Sequence, residues 1–262
     1  MIHSTAVIHP GAQLDPSVEV GPCAVIDEGV SLGAHCRVGP HAYLTGRTRA
    51  GPHNRFYAGC VIGEAPQDVK YKDEPTELHI GGHNLFREGS TVHRSANLER
   101  ATVIGSYNFL MVNSHVGHNV IVGDHIILAN GALLAGYAQV GDRAFISGNC
   151  LVHQFVRVGT LALMQGGSAV SKDLPPFTVA RGNNGICGLN VIGLRRAGFS
   201  PQERLDLKSL YHKLFRSRQN LSNIIAEAQK DFTSGPSKIL LEFLASAKRG
   251  VCRDMGVAES DE

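Results

Sequence analysis

The sequence predicts a mainly β fold: a parallel β-helix of hexapeptide repeats, three per coil, followed by a small α-helical C-terminal domain. Three observations carry this. Stepping by six from Ile2 to Val170 visits 29 positions, and 26 of them are large and apolar. An apolar content of 43% would supply about twelve by chance. Four residues after most of these positions stands a small side chain, as at Ala24, Cys36, Ala42, Cys60, Ala132 and Ala162. Finally, residues 1–199 hold 27 of the 30 glycines and 29 charged side chains, whereas residues 200–262 hold 3 and 19, which marks two regions of different construction.

A period of six matches neither the 3.6 of a helix nor the 2 of a simple strand. It fits short flat strands in which each hexapeptide forms one wall and one corner. Three such units close a triangular coil of 18 residues, and coils about 4.8 Å apart give a prism about 45 Å long. The residue after the inward apolar one is often glycine (Gly21, Gly33, Gly39, Gly81, Gly105, Gly123), which suits a tight corner. A large and a small inward column fill the interior, so any ligand must bind outside, on loops or between subunits. Asp68 and Glu74 interrupt the apolar register; residues 63–79 are therefore expected to leave the coil as a polar loop. We assign residues 1–190 to the β-helix and residues 191–262 to the helical domain. There, Ser200-Pro201-Gln202-Glu203 reads as a capping box, followed by Leu207, Leu210, Tyr211, Leu214 and Phe215 at helical spacing. Further helices are expected from Ser222 and from Pro236, the last stopping at Gly250 after Lys248 and Arg249.

A net charge of +2 provides no broad basic stripe, so nucleic acid is not an expected partner, although local basic patches can receive an acidic one. No run approaches the 18 apolar residues of a membrane span, and the start has neither a cationic leader nor an apolar core. A cytoplasmic protein with reduced thiols is expected, since the six cysteines are scattered without a CxxC pair.

Residues 18 apart stack, which places His118, Gly136 and Gln154 in one exposed column. His115 and His153 sit beside it, and His93 lies one or two coils earlier. An outward imidazole next to a glycine with an unhindered N–H suits acyl transfer: the imidazole takes a proton from the nucleophile and the N–H steadies the oxyanion. Two other readings remain open, a zinc-dependent hydratase whose ion is held between subunits by histidine-rich walls, and a non-enzymatic scaffold with solvent-facing histidines. No metal ligands are assigned, because the column has no carboxylate. Asp68 and Lys70 in the loop are either a solvated pair or ligand contacts, and Arg195-Arg196 either a solvated turn or a phosphate contact.

At these residues the sequence resembles the UDP-N-acetylglucosamine O-acyltransferases that begin lipid A biosynthesis. The strings IGEAPQDVKY, EPTELHIG, STVHRS, NFLMVNSHVGHNVIVGD, ILANGALLAGY, LVHQF, DLPPFTVARGN and GLNVIGLRRAGFS carry the resemblance over essentially the whole chain. It implies a left-handed β-helix, a homotrimer with sites in clefts between prisms, and transfer of a 3-hydroxyacyl chain from acyl carrier protein to the glucosamine 3-position. No cofactor is implied, since the acyl donor rides on the carrier's phosphopantetheine. By this resemblance His118 is the general base and Gly136 the oxyanion donor. Asp68, Lys70, His115 and Gln154 match positions that hold the nucleotide sugar, His153 lies in the same HQ motif, and Asn190 and Arg196 match the uridine diphosphate end; His93, beside them, is counted with the substrate-binding residues. Arg157, Lys172 and Arg181 are basic residues that can receive the acidic carrier, and Gly166 matches the floor of the acyl groove, where there is either room for a longer chain or a space filled by Met164 and Gln165. The related N-acyltransferases are disfavoured because the repeat already begins at Ile2. Four positions depart from the family pattern: Asn119 stands for the Asp that follows the base, Tyr137 for a His, Ile192 for a Glu and Ala197 for a second Arg. The acceptor is accordingly a 3-hydroxyl or, in a 3-amino sugar nucleotide, a 3-amine.

Overall fold

In the structure, a computed structural model that describes residues 1–217 and 219–256, the repeat closes into a three-walled prism. Residues 218 and 257–262 of the expected helical region lie outside the described residues. Wall I has nine strands, from Val7–Ile8 to Ala169–Val170; wall II has eight, from Gln13–Leu14 to Arg157–Val158; wall III has eleven, beginning at Glu19–Val20. Prism neighbours are parallel and mostly 18 residues apart, as in the ladder His115, Leu133, Leu151. The inward columns are buried as expected, the large one by residues such as Ile26, Leu44, Leu110 and Leu134 and the small one by Ala24, Cys36, Ala132 and Ala162.

The corner glycines serve a different end from the one expected. Gly33 has no left-handed backbone; a Cβ there would stand 2.9 Å from the carbonyl carbon of Gly51 in the next coil. These glycines let coils approach to ladder distance. The left-handed residue falls two places later and is usually not glycine, as at His53 (φ 60°), Asn119 (φ 58°) and Tyr137 (φ 61°). On the corner between walls II and III these residues form a ladder of rings, His35, His53, His83, Tyr107 and His125, with centroids 4.6–5.0 Å apart.

Within the same corner the small inward column carries three buried asparagines. Asn54 Nδ2 donates to the carbonyls of Gly51 and Gly81, and the Asn84 amide donates to Asn54 Oδ1. Asn108 N donates to Asn84 Oδ1, and Ile126 N to Asn108 Oδ1. Each side chain supplies the bond that the turning backbone cannot make for itself.

Two segments leave the prism. The first is shorter than expected: strands run through Val61–Glu64 and Glu77–Ile80, so residues 65–76 are ejected. The second, residues 94–101 between strands Thr91–His93 and Thr102–Ile104, was not expected. Leu98 was read as an inward residue and is 69% exposed. An insertion of one hexapeptide length returns the chain in phase, which is why the register concealed it.

Beyond Leu189 the chain forms α1 (Val191–Arg196), α2 (Pro201–Phe215), α3 (Leu221–Asp231) and α4 (Gly235–Ala245). Ser200 and Glu203 form the reciprocal capping box. Helix α4 ends earlier than expected, at Ala245, because Ser246 turns its hydroxyl onto the carbonyls of Glu242 and Phe243. Leu207, Leu210, Leu214, Ile224, Leu240 and Leu244 bury against Phe177 and Leu161, joining the helices to the prism. The region is not wholly helical: Arg253–Asp254 returns as a strand beside Gly185–Ile186 of wall III, and buried Asp254 accepts from Tyr211 Oη at 2.6 Å.

Asn84→Ala would leave Asn108 N–H and the Gly105 carbonyl without a partner inside the corner. A loss of about 2–4 kcal/mol in the free energy of urea unfolding is expected.

Candidate active site

A groove of about 740 Å³ runs along wall I and its corner with wall II. Its floor is the outward face of wall I, where Leu133 and Leu151 are exposed beside Ala169; histidines 93, 115, 118 and 153 stand along one side. His118 reaches directly over Gly136, as an ideal Cβ at position 136 would lie 2.6 Å from His118 Nε2. Among the described residues the Gly136 N–H has no acceptor. Gly117 keeps that N–H open, since a Cβ on it would stand 2.9 Å from Gly136 N. Gly117 was missed in the sequence, where nothing but stacking reveals which neighbour covers an N–H.

The tautomer of His118 follows from Asn119. Asn119 Oδ1 accepts from Ala96 N at 2.9 Å, and its Nδ2 donates to the Arg100 carbonyl at 2.9 Å, which fixes the orientation of the amide. Oδ1 therefore faces His118 Nδ1, 3.0 Å away, so Nδ1 carries the proton and Nε2 presents a lone pair over Gly136. The ejected segment 94–101 holds both ends of that amide. Asn119 is buried and its own N–H donates to Thr102 Oγ1 at 2.7 Å.

His93 and His115 meet edge to face at 4.8 Å, and Thr91 Oγ1 lies 2.7 Å from His115 Nδ1. Burial, reinforced by the neighbouring imidazoles His115 and His118 and by Arg94, holds His93 down to about 4. Burial and then His118 also lower His115. The groove thus keeps two neutral imidazoles next to the third.

The chain that carries this pairing matches known families. Residues 173–252 match the family model for domain 2 of UDP-N-acetylglucosamine O-acyltransferase, and residues 101–136 match the bacterial transferase hexapeptide repeats. The acyl-[acyl-carrier-protein]–UDP-N-acetylglucosamine O-acyltransferase of Thermodesulfovibrio yellowstonii is 43% identical over 96% of this chain and 99% of its own. That of Paraburkholderia phytofirmans is 45% identical over the same shares. The chain belongs to the UDP-N-acetylglucosamine O-acyltransferase family. LpxA of Acinetobacter baumannii superposes with a TM-score of 0.93 at 36% identity, covering 96% of this chain and 99% of that one. The shared fold is the left-handed parallel β-helix with a helical C-terminal part.

The structure brings together His93, His115, His118, Gly136, His153 and Gln154, the expected groove residues of this acyltransferase family. Gln67, from the ejected loop, joins them and was not singled out; Ser171, Asn183 and Asn184 close the far end. Other expected residues lie apart from this groove. Asp68 Oδ1 accepts from Lys70 N at 2.9 Å, closing a turn, and Lys70 is exposed. Asn190 caps α1, accepting from Gly193 N and donating to the Leu161 carbonyl at 2.9 Å each, while Arg196 is exposed in the last turn of that helix. Gly166 lies on the corner between walls III and I, where a Cβ would be 3.6 Å from the Gly148 carbonyl. Arg157 is not a free surface cation: its guanidinium pairs with buried Asp173 at 2.7 Å, bonds Ser246 Oγ and the Phe243 carbonyl, and covers the Phe243 ring. It clamps α4 to the prism.

Gly136→Ala would displace the His118 ring, and a fall in turnover of at least about 100-fold is expected with the oligomeric state unchanged. For His93, the folded state refuses a proton that the unfolded chain accepts near 6.5. Stability is therefore full above pH 6.5 and falls by roughly 2–3 kcal/mol as the pH drops toward 4. Urea midpoints at pH 7 and pH 5 should show this slope in the parent and a flatter one in His93→Gln.

Proposed function

We propose that this chain transfers a 3-hydroxyacyl group from acyl carrier protein to the 3-position of the glucosamine in UDP-N-acetylglucosamine, the first step of lipid A biosynthesis. The observation that carries this reading is that His118 Nε2, the ring nitrogen opposite the one engaged by Asn119 Oδ1, stands over the open N–H of Gly136. In the reaction Nε2 takes the proton of the sugar 3-hydroxyl as its oxygen attacks the thioester carbonyl. The Gly136 N–H stabilises the resulting oxyanion. Collapse expels the phosphopantetheine sulfur, which receives the proton back from the imidazolium. Asn119 orients the ring but supplies no negative charge to the imidazolium, so the base works through geometry and a neutral dipole.

The apolar floor of Leu133, Leu151 and Ala169 suits the acyl chain, and the polar wall of Gln67, His93, His115 and Gln154 suits the sugar. We place the uridine diphosphate against Asn190 and Arg196, and the loop residues Asp68 and Lys70 against the sugar, in clefts of a homotrimer in which neighbouring copies complete each groove. This placement agrees with the position of these four residues outside the groove of their own copy. Lys172 and Arg181 are left to receive the acidic carrier, Arg157 being engaged elsewhere. The chemistry asks for no cofactor of the protein's own, and the open corner at Gly166 favours a long acyl chain. Among the described residues no helix is long and apolar enough to cross a membrane; we place the reaction in the cytoplasm, where the acyl carrier is loaded.

His118→Ala should retain the parent oligomer by light scattering and lose nearly all transfer; activity within a few-fold of the parent would overturn the mechanism. Asn119→Asp adds charge at His118 Nδ1 but sets an oxygen that cannot donate against the Arg100 carbonyl; turnover at or above that of the parent is expected, and a large loss would assign the orientation of the ring to the Arg100 bond. An assay with a panel of 3-hydroxyacyl carrier proteins tests the acceptor. Transfer to the N-acetyl sugar is expected, and transfer confined to a 3-amino sugar nucleotide would reassign it.

A further inference from the structure

The second ejected segment, residues 94–101, touches the His118 assembly twice. Its backbone holds Asn119, and its side chain Asn97 donates from Nδ2 to Tyr137 Oη at 3.1 Å. Tyr137 follows Gly136 directly but is not part of the groove lining. Its ring meets the His118 imidazole at right angles, with centroids 5.2 Å apart, and stacks on Phe155 at 4.7 Å. His118 is thus bounded by Gly136 beneath, by the Asn119 amide at Nδ1 and by the Tyr137 ring on the side away from the groove. The segment is itself braced. Ser95 Oγ donates to the Asn97 carbonyl at 3.0 Å, Glu99 N to Asn97 Oδ1 at 3.2 Å, and the Arg100 guanidinium to the Asn119 carbonyl at 3.0 Å.

We propose that Tyr137, tied to Asn97, is a positioning residue: with the segment 94–101 it forms one hydrogen-bonded frame that holds the His118 ring and its tautomer in place. Tyr137 touches neither substrate nor reacting atoms in this assignment and acts through His118 alone. Cutting the tie between Tyr137 and Asn97 loosens the segment, and with it the Asn119 amide that selects the Nδ1–H form. Because the frame is a single unit, cutting it at either end has the same consequence.

This inference rests on His118 acting as the base, and the test separates the two. Tyr137→Phe keeps both ring contacts and removes only the hydroxyl; Asn97→Ala removes the other end. Each should lower kcat about 3- to 10-fold with KM within about twofold of the parent, and the double variant should be no more than about twofold slower than either single one. Independently of activity, 15N spectra of labelled histidine should show a larger Nε2–H share for His118 in both variants. Rates within twofold of the parent, losses that multiply, a loss confined to KM, or an unchanged His118 tautomer would each overturn the proposal. Should the parent transfer no acyl group at all, the functional reading falls and the spectra alone decide the positioning. If Asn97→Ala does not fold, Tyr137→Phe gives the same decision by itself.

Discussion

The whole molecule depends on the spacing of its coils. Parallel backbone bonds hold each hexapeptide at ladder distance from the one below, and every other feature is an adjustment to that separation. At corners such as Gly33 the next coil passes so close that a Cβ cannot be accommodated. Inside, the walls leave width for one branched aliphatic residue and one small one. Where backbone polar groups turn inward at the corner between walls II and III, the ladder of Asn54, Asn84 and Asn108 satisfies them.

The same spacing builds the candidate site. In a helix or an open sheet, residues 118 and 136 would have no reason to meet; here one stacking step places the imidazole on the glycine. The stack thereby sets the separation of the imidazole from the glycine. What the stack cannot provide is orientation about the ring itself. That comes from the irregular part of the chain, the segment 94–101, which holds Asn119 and touches Tyr137. Regular structure sets position, and an excursion from it sets direction.

Much of this was legible in the sequence. The register of large residues from Ile2 to Val170 sufficed for the walls, and the 18-residue step for the His118, Gly136, Gln154 column. The departure at Asp68 and Glu74 marked the first ejected loop, because charged residues occupied inward positions. The second stayed hidden because Leu98 kept the register while pointing to solvent. Arg157 read as a surface cation because the sequence does not indicate that α4 folds back over wall II. The capping of α1 by the Asn190 amide was equally hidden, because it depends on the Leu161 carbonyl from the corner between walls II and III.

The sequence by itself determined the period, and with it the number of walls, the inward columns and the histidines that share a face, since these follow from spacing along one chain. Tertiary structure decided which nitrogen of His118 carries the proton, which N–H lies open beneath it and which arginine is already engaged. Those depend on contacts between segments that no periodicity relates, such as Asn119 with Ala96 or Arg157 with Asp173. A repeat can specify where a side chain stands; only its non-repeating neighbours specify what state it is in.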